Sequence, residues 1–538
     1  MEAFDAVVVG AGPNGLVAAN HLVDAGWSVV VLEAQPSYGG AVRSDSEVHE
    51  GFVHDTFSAF YPLAAVSPTM RRLDLEEHGL VWRHAPTVLG HVFGDGAWAL
   101  LHRDRFRTAE GFAEPADRDA WLRVCELWDR IGEDLVGALM SPFPPLRHGA
   151  PLALRTARTG GLQLVRTLLS PAADLGESWF RAREGRALIL GNAGHADIPV
   201  QAPGSGLFGF LMSMLGQHAG FPVPEGGAQR LSDALVARLR SKGGEVRCAC
   251  EVTRIEVDHR RATAVTTADG GRIAAGRAVL ADVVAPRLYG GLVAAEDVPG
   301  RVARGMRDFR LDPGTVKVDF ALSGTVPWAV RPDTSPGTVH VSPSPDALVR
   351  SLGQVAAGEV PTEPFLLMGQ MTTSDPARSP SGTESCWIYT HVPQRVVSDV
   401  GGVGGTVRGD WDGDDRERFA DRIQAQVEHV APGFGSRILA RRVLGPRELE
   451  ARNANLLGGA LNGGTSQLHQ QLVFRPVPGW GRAETGIRGL YLASASAHPG
   501  GGVHGAPGAN AARAALAHAR LGALPDAVRR RAARSGRG

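Results

Sequence analysis

The order of apolar and polar positions is clearest at the start of the chain. Residues 5–9 form a short valine-rich run typical of a buried parallel strand, and residues 28–32 form a second. Between them, residues 16–24 carry apolar side chains at helical spacing, and Gly26 ends that pattern. The pattern predicts a strand–helix–strand unit.

Helical and strand patterns continue along the rest of the chain. Helices are predicted over 120–139, 152–169, 186–193 and 505–516. Strands are predicted over 245–250, 252–257, 262–267, 278–281, 316–322, 365–371, 386–391 and 490–494, and a hairpin over 88–102. Strands that alternate with helices favour an α/β fold.

A glycine turn joins the first strand to the first helix. Gly10, Gly12 and Gly15 have GxGxxG spacing, and Glu33 ends the second strand. The glycines allow a tight turn, close approach of a pyrophosphate and close helix–strand packing, while the acid accepts hydrogen bonds from a ribose. The unit therefore predicts a dinucleotide site. Its predicted contact residues are Gly10, Gly12, Pro13, Asn14, Gly15, Glu33 and Ala34.

A second glycine element identifies the dinucleotide. Gly39, Gly40 and Arg43 lie in GGAVRS, which resembles the GGxxRS extension of FAD enzymes in the glutathione-reductase-like and amine-oxidase superfamily. The resemblance implies that the paired glycines pass close to the cofactor and that the arginine lies near its phosphates, a contact that suits a planar charged fork. FAD is the expected cofactor.

Two later segments resemble the same superfamily. PVPEGG at 222–227 precedes a helix and a strand that would return the chain to the FAD domain, and the resemblance implies that the backbone of Val252 contacts the adenine. Near the C-terminus, a glycine-rich turn enters a helix, an arrangement that suits an electron-rich ligand such as the flavin pyrimidine edge. Its expected contact residues are Ser494, Gly501, Gly502 and Val503.

Together, VVVGAGPNGL, VPEGGAQRL and LYLASASAHPGGGVHGAPG resemble the phytoene desaturase-type flavoproteins, including the phytoene dehydrogenase-related and pyridine nucleotide-disulfide oxidoreductase domain-containing proteins. The resemblance implies hydride transfer from a C–H bond of a hydrophobic small molecule to flavin N5. It also implies an acidic residue after the last strand in true amine oxidases, where this chain has Ser494, Ala495 and Ser496.

Three histidines are the candidate catalytic residues. His498 and His504 flank the GGGV loop, and His469 lies in QLHQQLVFRP. Histidine titrates near neutral pH and can move a substrate proton. A hydrogen bond that only fixes the loop is the favoured interpretation for His498 and His504. The aromatic segment 51–62 either approaches the flavin or substrate or packs in the core.

The expected fold class is α/β. It combines a discontinuous, glutathione-reductase-like FAD-binding domain of Rossmann type with a mixed-sheet and helical substrate domain. The FAD-binding domain is assigned to 1–84, 222–299 and 471–525, and the substrate domain to 85–221 and 300–470; a basic tail, 526–538, follows.

The amino-acid composition limits the kinds of partner and location that we expect for the protein. Fifty-six basic and fifty-six acidic side chains give no net charge, so nothing favours a nucleic-acid partner. None of the four cysteines forms CxxC, which argues against a redox dithiol, and no metal site is predicted. No signal peptide or membrane span is recognised, so the expected location is the cytoplasm. Peripheral membrane contact is left open. The apolar residues 206–215 would either touch a membrane surface or line an apolar cavity.

The leading hypothesis is an FAD-dependent oxidoreductase acting on a largely apolar molecule. The alternatives are an amine or amino-acid oxidase, a flavin-bound protein without catalysis, and a lipid escort like the Rab GDP-dissociation inhibitors, which resemble this fold without flavin. Glu33, Arg43 and the C-terminal glycine loop argue against the escort. The electron acceptor (oxygen, quinone or NAD(P)) and the oligomeric state are left open.

Overall fold

The computed structural model describes residues 2–522, so the predicted basic tail and the last residues of the predicted FAD-binding segment lie outside the described residues. The strands are β1 (Glu2–Val9), β2 (Val29–Leu32), β3 (Ser44–Asp45), β4 (His54–Asp55), β5 (Trp82–Arg83), β6 (Thr87–Val92), β7 (Trp98–Leu101), β8 (Val223–Pro224), β9 (Glu245–Arg247), β10 (Val252–Asp258), β11 (Arg261–Thr267), β12 (Arg272–Ala281), β13 (Gly314–Leu322), β14 (Pro336–Val341), β15 (Leu366–Gln370), β16 (Glu384–Val392), β17 (Ile438–Leu444) and β18 (Leu490–Leu492).

The helices are α1 (Pro13–Asp24), α2 (Pro62–Val66), α3 (Pro68–Arg71), α4 (Arg105–Glu110), α5 (Pro115–Met140), α6 (Leu146–Thr159), α7 (Gly161–Leu169), α8 (Ala172–Trp179), α9 (Arg183–Gly194), α10 (Ser205–Ala219), α11 (Gln229–Ser241), α12 (Ala285–Arg287), α13 (Gly300–Met306), α14 (Pro345–Ala357), α15 (Met371–Ser374), α16 (Gly413–Val430), α17 (Pro446–Arg452) and α18 (Ala506–Gly522). Short 3₁₀ and π turns join several of them.

The first large sheet has a parallel core. β9, β2, β1, β12 and β18 pair in parallel, and the antiparallel strands β10 and β11 extend the sheet from the first half of β12. The apolar runs of β1 and β2 are buried because α1, α11 and α18 cover one face of this sheet. Segments from the beginning, middle and end of the chain thus share one sheet, with their carboxyl ends at one edge.

The second large sheet is mixed. Its order is β17-β13-β16-β15-β14-β6-β7, in which only β14 and β6 pair in parallel among the described strands. β13 is buried along its whole length between neighbours, and α16 packs over this face through Phe419 and Ile423. Helices α5 and α8–α10 form a core with β6 and β7.

These two sheets confirm the predicted α/β class. The strands of the first sheet lie within the segments assigned to the FAD-binding domain, and those of the second lie within the segments assigned to the substrate domain. The hairpin predicted at 88–102 is β6 and β7. The division into two domains at the stated boundaries remains a prediction.

Two sequence interpretations change, and the structure bears on a third that was left open. Residues 206–215 belong to α10, whose apolar side chains are largely buried, so this stretch packs in the core and offers no membrane surface. Within residues 2–522, no helix is both long and apolar enough to cross a bilayer. The single helix predicted over 152–169 is two helices, because Gly160 and Gly161 break it and Gly161 has a left-handed φ of 55°. For segment 51–62 both core packing and an approach to the ligand were open: Phe52 and Tyr61 are fully buried, whereas Phe57 lies against Arg43 of the cavity lining.

Candidate functional site

The carboxyl ends of four parallel strands meet at one edge of the first sheet. Gly10 follows β1, Glu33 follows β2, Asp282 follows β12 and Ser494 lies two residues beyond β18. Backbone hydrogen bonds continue the ladder past the strands: the Gly10 N–H donates to Leu32, and the Asp282 N–H donates to Val9, each at 2.8 Å. Ligands of open α/β sheets bind at this kind of edge.

A cavity of about 470 Å³ opens at this edge. Most of the predicted cofactor contacts line it, together with Asp282: Gly10, Gly12, Pro13, Asn14, Glu33, Ala34, Gly40, Arg43, Val252 and Ser494. The structure therefore brings together residues from both ends and the middle of the chain.

The glycine turn is shaped by close backbone contacts. Gly10 has a left-handed φ of 95°, and a Cβ at Gly15 would overlap the Gly10 carbonyl oxygen. A Cβ at Gly12 would lie 2.6 Å from an Asp282 carboxyl oxygen. A Cβ at Gly40 would lie 2.9 Å from the Gly12 Cα, so the second glycine element packs directly on the first. These contacts leave a cradle open toward the N-terminus of α1.

The backbone holds the Glu33 side chain in place. Its Oε2 accepts from the Ala11 N–H at 2.8 Å and its Oε1 from the Gln35 N–H at 2.9 Å. Each carboxylate oxygen has a further lone pair, so the fixed group can still accept a ribose hydroxyl from the cavity.

Asp282 is the main residue that sequence reasoning missed. Its Oδ2 accepts from the Gly15 N–H at 2.9 Å, in the first turn of α1. Burial raises the pKa of Asp282 to about 7, against a smaller lowering by the Gly15 hydrogen bond. Asn455 holds the adjacent backbone, because its side chain donates to the Asp282 carbonyl and accepts from the Val284 N–H. In the sequence, the one local feature that could have indicated Asp282 is its position, since an acidic residue directly follows an apolar strand.

Arg43 is one of the residues that line the cavity. Its Nη2 donates to the Arg452 carbonyl at 2.8 Å, and its guanidinium lies 5.4 Å from the centre of the Phe57 ring. Both Arg43 and Arg452 line the cavity, and Arg452 pairs with Glu47 at 2.9 Å. Two cations in the cavity lining suit the phosphates of a dinucleotide.

The other predicted contacts are absent from the residues that line the cavity: Gly15, Gly39, Gly501, Gly502 and Val503. The Gly39 N–H donates to Ala11 at 2.8 Å behind the turn. Gly501 packs on Asn462, Gly502 lies between Leu63 and His504, and Val503 packs on the helices that cover the first sheet. Their contact with the flavin remains a prediction.

His498 and His504 are buried and bound to the backbone. The His504 Nε2–H donates to the Gly501 carbonyl at 3.2 Å, and its Nδ1 accepts from the Ala506 N–H at 3.1 Å. The His498 Nε2–H donates to the Ser141 carbonyl at 3.1 Å, while its buried Nδ1 has no hydrogen-bond partner among the described residues. Burial lowers the pKa of each imidazole to about 4, so both are neutral at pH 7.

His469 lies on the surface, in a short 3₁₀ turn beside the exposed Leu468. The structure therefore does not bring this residue together with His498 and His504. A different polar group approaches their loop: the Asn462 side chain packs on Gly501 and donates to Asp197 at 2.6 Å. Asp197 in turn pairs with His391 at 2.9 Å, and although burial opposes it, this carboxylate raises the pKa of His391.

The residues at the sheet edge fit FAD. The turn and the N-terminus of α1 offer a phosphate cradle that a Cβ would fill, and Glu33 is held to face the cavity. The Asn14 Oδ1, also in the lining, is buried without a hydrogen-bond partner in residues 2–522. Such an orphaned polar atom is expected where a ligand completes the site.

Comparison with known proteins supports this assignment. The model of the family "Flavin containing amine oxidoreductase" matches residues 14–284. Pyridine nucleotide-disulfide oxidoreductase domain-containing protein 2 of Rattus norvegicus is 27% identical, over 95% of this chain and 92% of its own. A limonene dehydrogenase component from Castellaniella defragrans is 24% identical, over 95% and 94%. A lycopene-forming phytoene desaturase of Paracoccus is 29% identical, over 56% of each.

Among solved structures, an oxidoreductase from Methanosarcina mazei has the same fold, with a TM-score of 0.62 and 16% identity over 95% of this chain and 99% of its own. The family model covers half of the chain and includes Gly15, Glu33 and Asp282. The chain therefore belongs to the family of flavin-containing amine oxidoreductases and is an FAD-dependent oxidoreductase.

Proposed function

We propose that the protein dehydrogenates a largely apolar small molecule, with hydride transfer from a substrate C–H bond to flavin N5. The observation that carries this proposal is the state of the two histidines at the glycine loop. Both are neutral at pH 7 and bound to backbone groups, so neither presents a charge to a substrate there. When bound, FAD supplies the acceptor of the hydride.

The chain's own residues orient the cofactor. Glu33 holds the ribose end, and the glycine cradle with the N-terminus of α1 holds the phosphates. Arg43 and Arg452, which line the same cavity, supply positive charge for the phosphates. As part of this proposal, the flavin ring lies against the 501–503 loop, where Gly501 packs on Asn462.

Removal of a hydride leaves a cationic carbon, and formation of a C=C bond then releases a proton from the neighbouring carbon. The His498 Nδ1 is the group we assign to this proton, because it is buried, unprotonated and without a partner in the described part of the chain. A proton beside a cationic carbon is strongly acidic, so a weak base with a pKa of about 4 is sufficient.

The names of two relatives support this reaction class. One is a dehydrogenase of limonene and another a desaturase of phytoene. The family name favours a second candidate, an amine oxidase. A free carboxylate would suit the ammonium group of an amine, but Asp197 is paired with His391, and Asp312 accepts from three backbone N–H groups.

Anaerobic reduction of the purified holoenzyme tests the proposal. We expect limonene or phytoene to bleach the flavin absorbance, and putrescine or an amino acid to leave it unchanged. His498→Gln should slow the bleaching while leaving the oxidised spectrum and the bound FAD unchanged. Reduction by amines and not by apolar alkenes would contradict the proposal and favour the oxidase. Reoxidation by oxygen, a quinone or NAD(P)⁺ then identifies the electron acceptor.

A further inference from the structure

The loop 461–464 lies between the cofactor cavity and the glycine-rich loop that precedes α18. Leu461 and Gly463 belong to the lining of the cavity. Asn462 packs on Gly501, where a Cβ would overlap the Asn462 Oδ1. The loop therefore contributes a polar side chain at the place where the proposed function puts the flavin ring.

We propose that the Asn462 Oδ1 accepts a hydrogen bond from the N3–H of the flavin ring, and that Asp197 and His391 are positioning residues that hold the Asn462 amide for this contact. The inference rests on the proposed function for one point, the position of the flavin ring against Gly501. It goes beyond that function because it assigns the polar partner of the ring and the residues that orient this partner.

Asp197 fixes which way round the amide of Asn462 lies. The Asn462 Nδ2 donates to the Asp197 Oδ2 at 2.6 Å. A carboxylate only accepts hydrogen bonds, so the reversed amide would place its oxygen against a negatively charged oxygen. The Asn462 Oδ1 consequently faces away from Asp197, and it is the atom nearest to a Cβ built at Gly501. The side chain thus presents a hydrogen-bond acceptor to the 501–503 loop.

His391 keeps the Asp197 carboxylate in its accepting form. The His391 Nε2 lies 2.9 Å from the Asp197 Oδ1, and both side chains are almost fully buried. Although burial opposes it, the Asp197 carboxylate raises the pKa of His391, and each charge stabilises the other. Asp197 also has a left-handed φ of 58°. Such backbone strain in a residue other than glycine persists where the surrounding structure holds the residue for a role.

Two buried charged side chains hold the backbone of the loop. Arg475 donates to two carbonyls of the loop, at 2.7 and 3.2 Å, and lies under the glycine-rich loop, where a Cβ at Gly500 would be 3.3 Å from its Cζ. Asp312 accepts from three N–H groups of the loop, those of Leu461, Asn462 and Gly464. Both Arg475 and Asp312 are fully buried. The position of the Asn462 side chain beside Gly501 is therefore fixed before a cofactor binds.

The chemistry of the oxidised flavin ring identifies the partner atom. The ring has a single N–H donor, at N3, whereas N1, N5 and the carbonyl oxygens only accept hydrogen bonds. An acceptor fixed beside the oxidised ring can therefore pair only with the N3–H. Charges close to the ring tune its electronics. The amide of Asn462 is uncharged, so it does not oppose the negative charge that the pyrimidine edge gains on reduction, whereas a carboxylate in its place would.

An exchange of the two side chains tests the contact. Asp197→Asn removes the charged acceptor that orients the amide, and FAD should then bind the apoprotein about tenfold more weakly in a fluorescence titration. Asp197→Asn with Asn462→Asp again allows a hydrogen bond between positions 197 and 462, so the affinity should return to within about threefold of the wild type. The exchange also puts a carboxylate beside the ring. The equilibrium ratio of reduced to oxidised flavin against a reference dye should therefore fall about tenfold, or about 30 mV for a two-electron couple.

The control is Gln201→Glu, which adds a negative charge at an exposed residue outside the cavity lining and should keep the wild-type affinity and ratio. Wild-type FAD affinity in Asp197→Asn would overturn the positioning role. An exchange variant of unchanged circular dichroism that does not regain affinity would overturn it too. A wild-type ratio in the exchange variant would overturn the contact with the flavin, because a pair that only supports the fold would be restored without affecting the ring.

FAD methylated at N3 gives a second test that does not depend on the exchange. The wild type should bind it about tenfold more weakly than FAD, whereas Asn462→Ala, which has no acceptor, should bind the two cofactors alike. The same loss on methylation in both proteins would overturn the contact. These measurements use no substrate, so the inference stands or falls separately from the reduction by apolar alkenes that tests the proposed function.

Discussion

At the scale of single residues, Asp282 and Gly15 shape the turn that we expect to bind the cofactor phosphates. Gly15 leaves room for the Gly10 carbonyl and donates its N–H to Asp282. The GxGxxG spacing predicts the glycine, because the motif is local. It does not predict the acid, which meets Gly15 only after the chain has returned through 267 positions of sequence.

The raised pKa of Asp282 predicts a pH-dependent affinity for FAD. The carboxyl is protonated below about pH 7 and negative above it, while the FAD pyrophosphate stays ionised throughout. Repulsion between the carboxylate and the phosphates should therefore weaken FAD binding by about three- to tenfold between about pH 6 and about pH 8. Titration of apoprotein with FAD, followed by flavin fluorescence, measures it.

Asp282→Asn is the matched variant for this prediction. It keeps the size of the side chain and an oxygen that can accept from Gly15, but it cannot ionise. Its FAD affinity should be nearly constant over the same range. The same pH dependence in wild type and variant would show that another group controls binding.

At the scale of elements, a buried ion-pair cluster links the segment before α11 to the second large sheet. Arg378, which follows α15, donates to Asp55 on β4 at 2.9 Å and to Asp375 at 3.1 Å, and all three side chains are fully buried. Asp55 also accepts from the Ala228 N–H ahead of α11, and Asp375 from the Gly226 N–H. These bonds fix the segment that enters α11 against the second large sheet.

Asp55→Ala should be strongly destabilising, because it leaves the buried Arg378 with one carboxylate and the Ala228 N–H without an acceptor. We expect a loss of about 3–5 kcal/mol in the free energy of unfolding. Urea unfolding measures it, with Glu225→Ala as control, since the Arg83–Glu225 pair is exposed and should contribute little. Similar losses in both variants would contradict this account of the pair.

Many of the helices and strands can be predicted from the sequence. The buried runs of β1 and β2, the hairpin β6–β7 and the stripe of α5 follow from spacing alone. The apolar stretch of α10 does not show whether the helix is buried or binds a membrane. A helix of either kind has the same composition, and the two differ only in what covers them. From the sequence, α6 and α7 are predicted as one basic helix. Their exposure could not be predicted, because it depends on the tertiary structure.

At the scale of the whole molecule, buried histidines make the fold sensitive to acid. Burial lowers the pKa of six histidines from 6.5 to about 4: His21, His91, His102, His195, His498 and His504. The unfolded chain binds these protons near pH 6.5 and the folded chain does not, so stability present above pH 6.5 is lost as the pH falls toward 4. Asp282 and Glu384, whose pKa values are raised to about 7, act in the opposite direction but are fewer.

The free energy of unfolding should therefore fall by several kcal/mol between about pH 6.5 and about pH 4.5. Urea unfolding at a series of pH values measures the slope, and His91→Gln, which removes one fully buried imidazole, should make it shallower. A free energy that is constant or rises toward pH 4.5 would contradict the assignment of neutral buried histidines.

For the whole molecule, the sequence predicts which segments share a sheet, but it does not predict the contacts between distant side chains. The order of the glycine motifs indicates that beginning, middle and end share one sheet, and β1, β12 and β18 do pair there. The Asp197–His391 pair and its link to Asn462 could not be predicted, because these residues lie far apart in sequence and no motif contains them.

The central claim is that the cavity at the sheet edge holds FAD, and an absorption spectrum of the purified protein tests it most directly. We expect the visible bands of an oxidised flavin, with one FAD per chain released on denaturation. Gly15→Ala should lack most of this absorbance, because its Cβ would overlap the Gly10 carbonyl oxygen, while Gly413→Ala, at a position with open space, should keep it. A colourless wild-type protein that stays colourless when FAD is added would contradict the account.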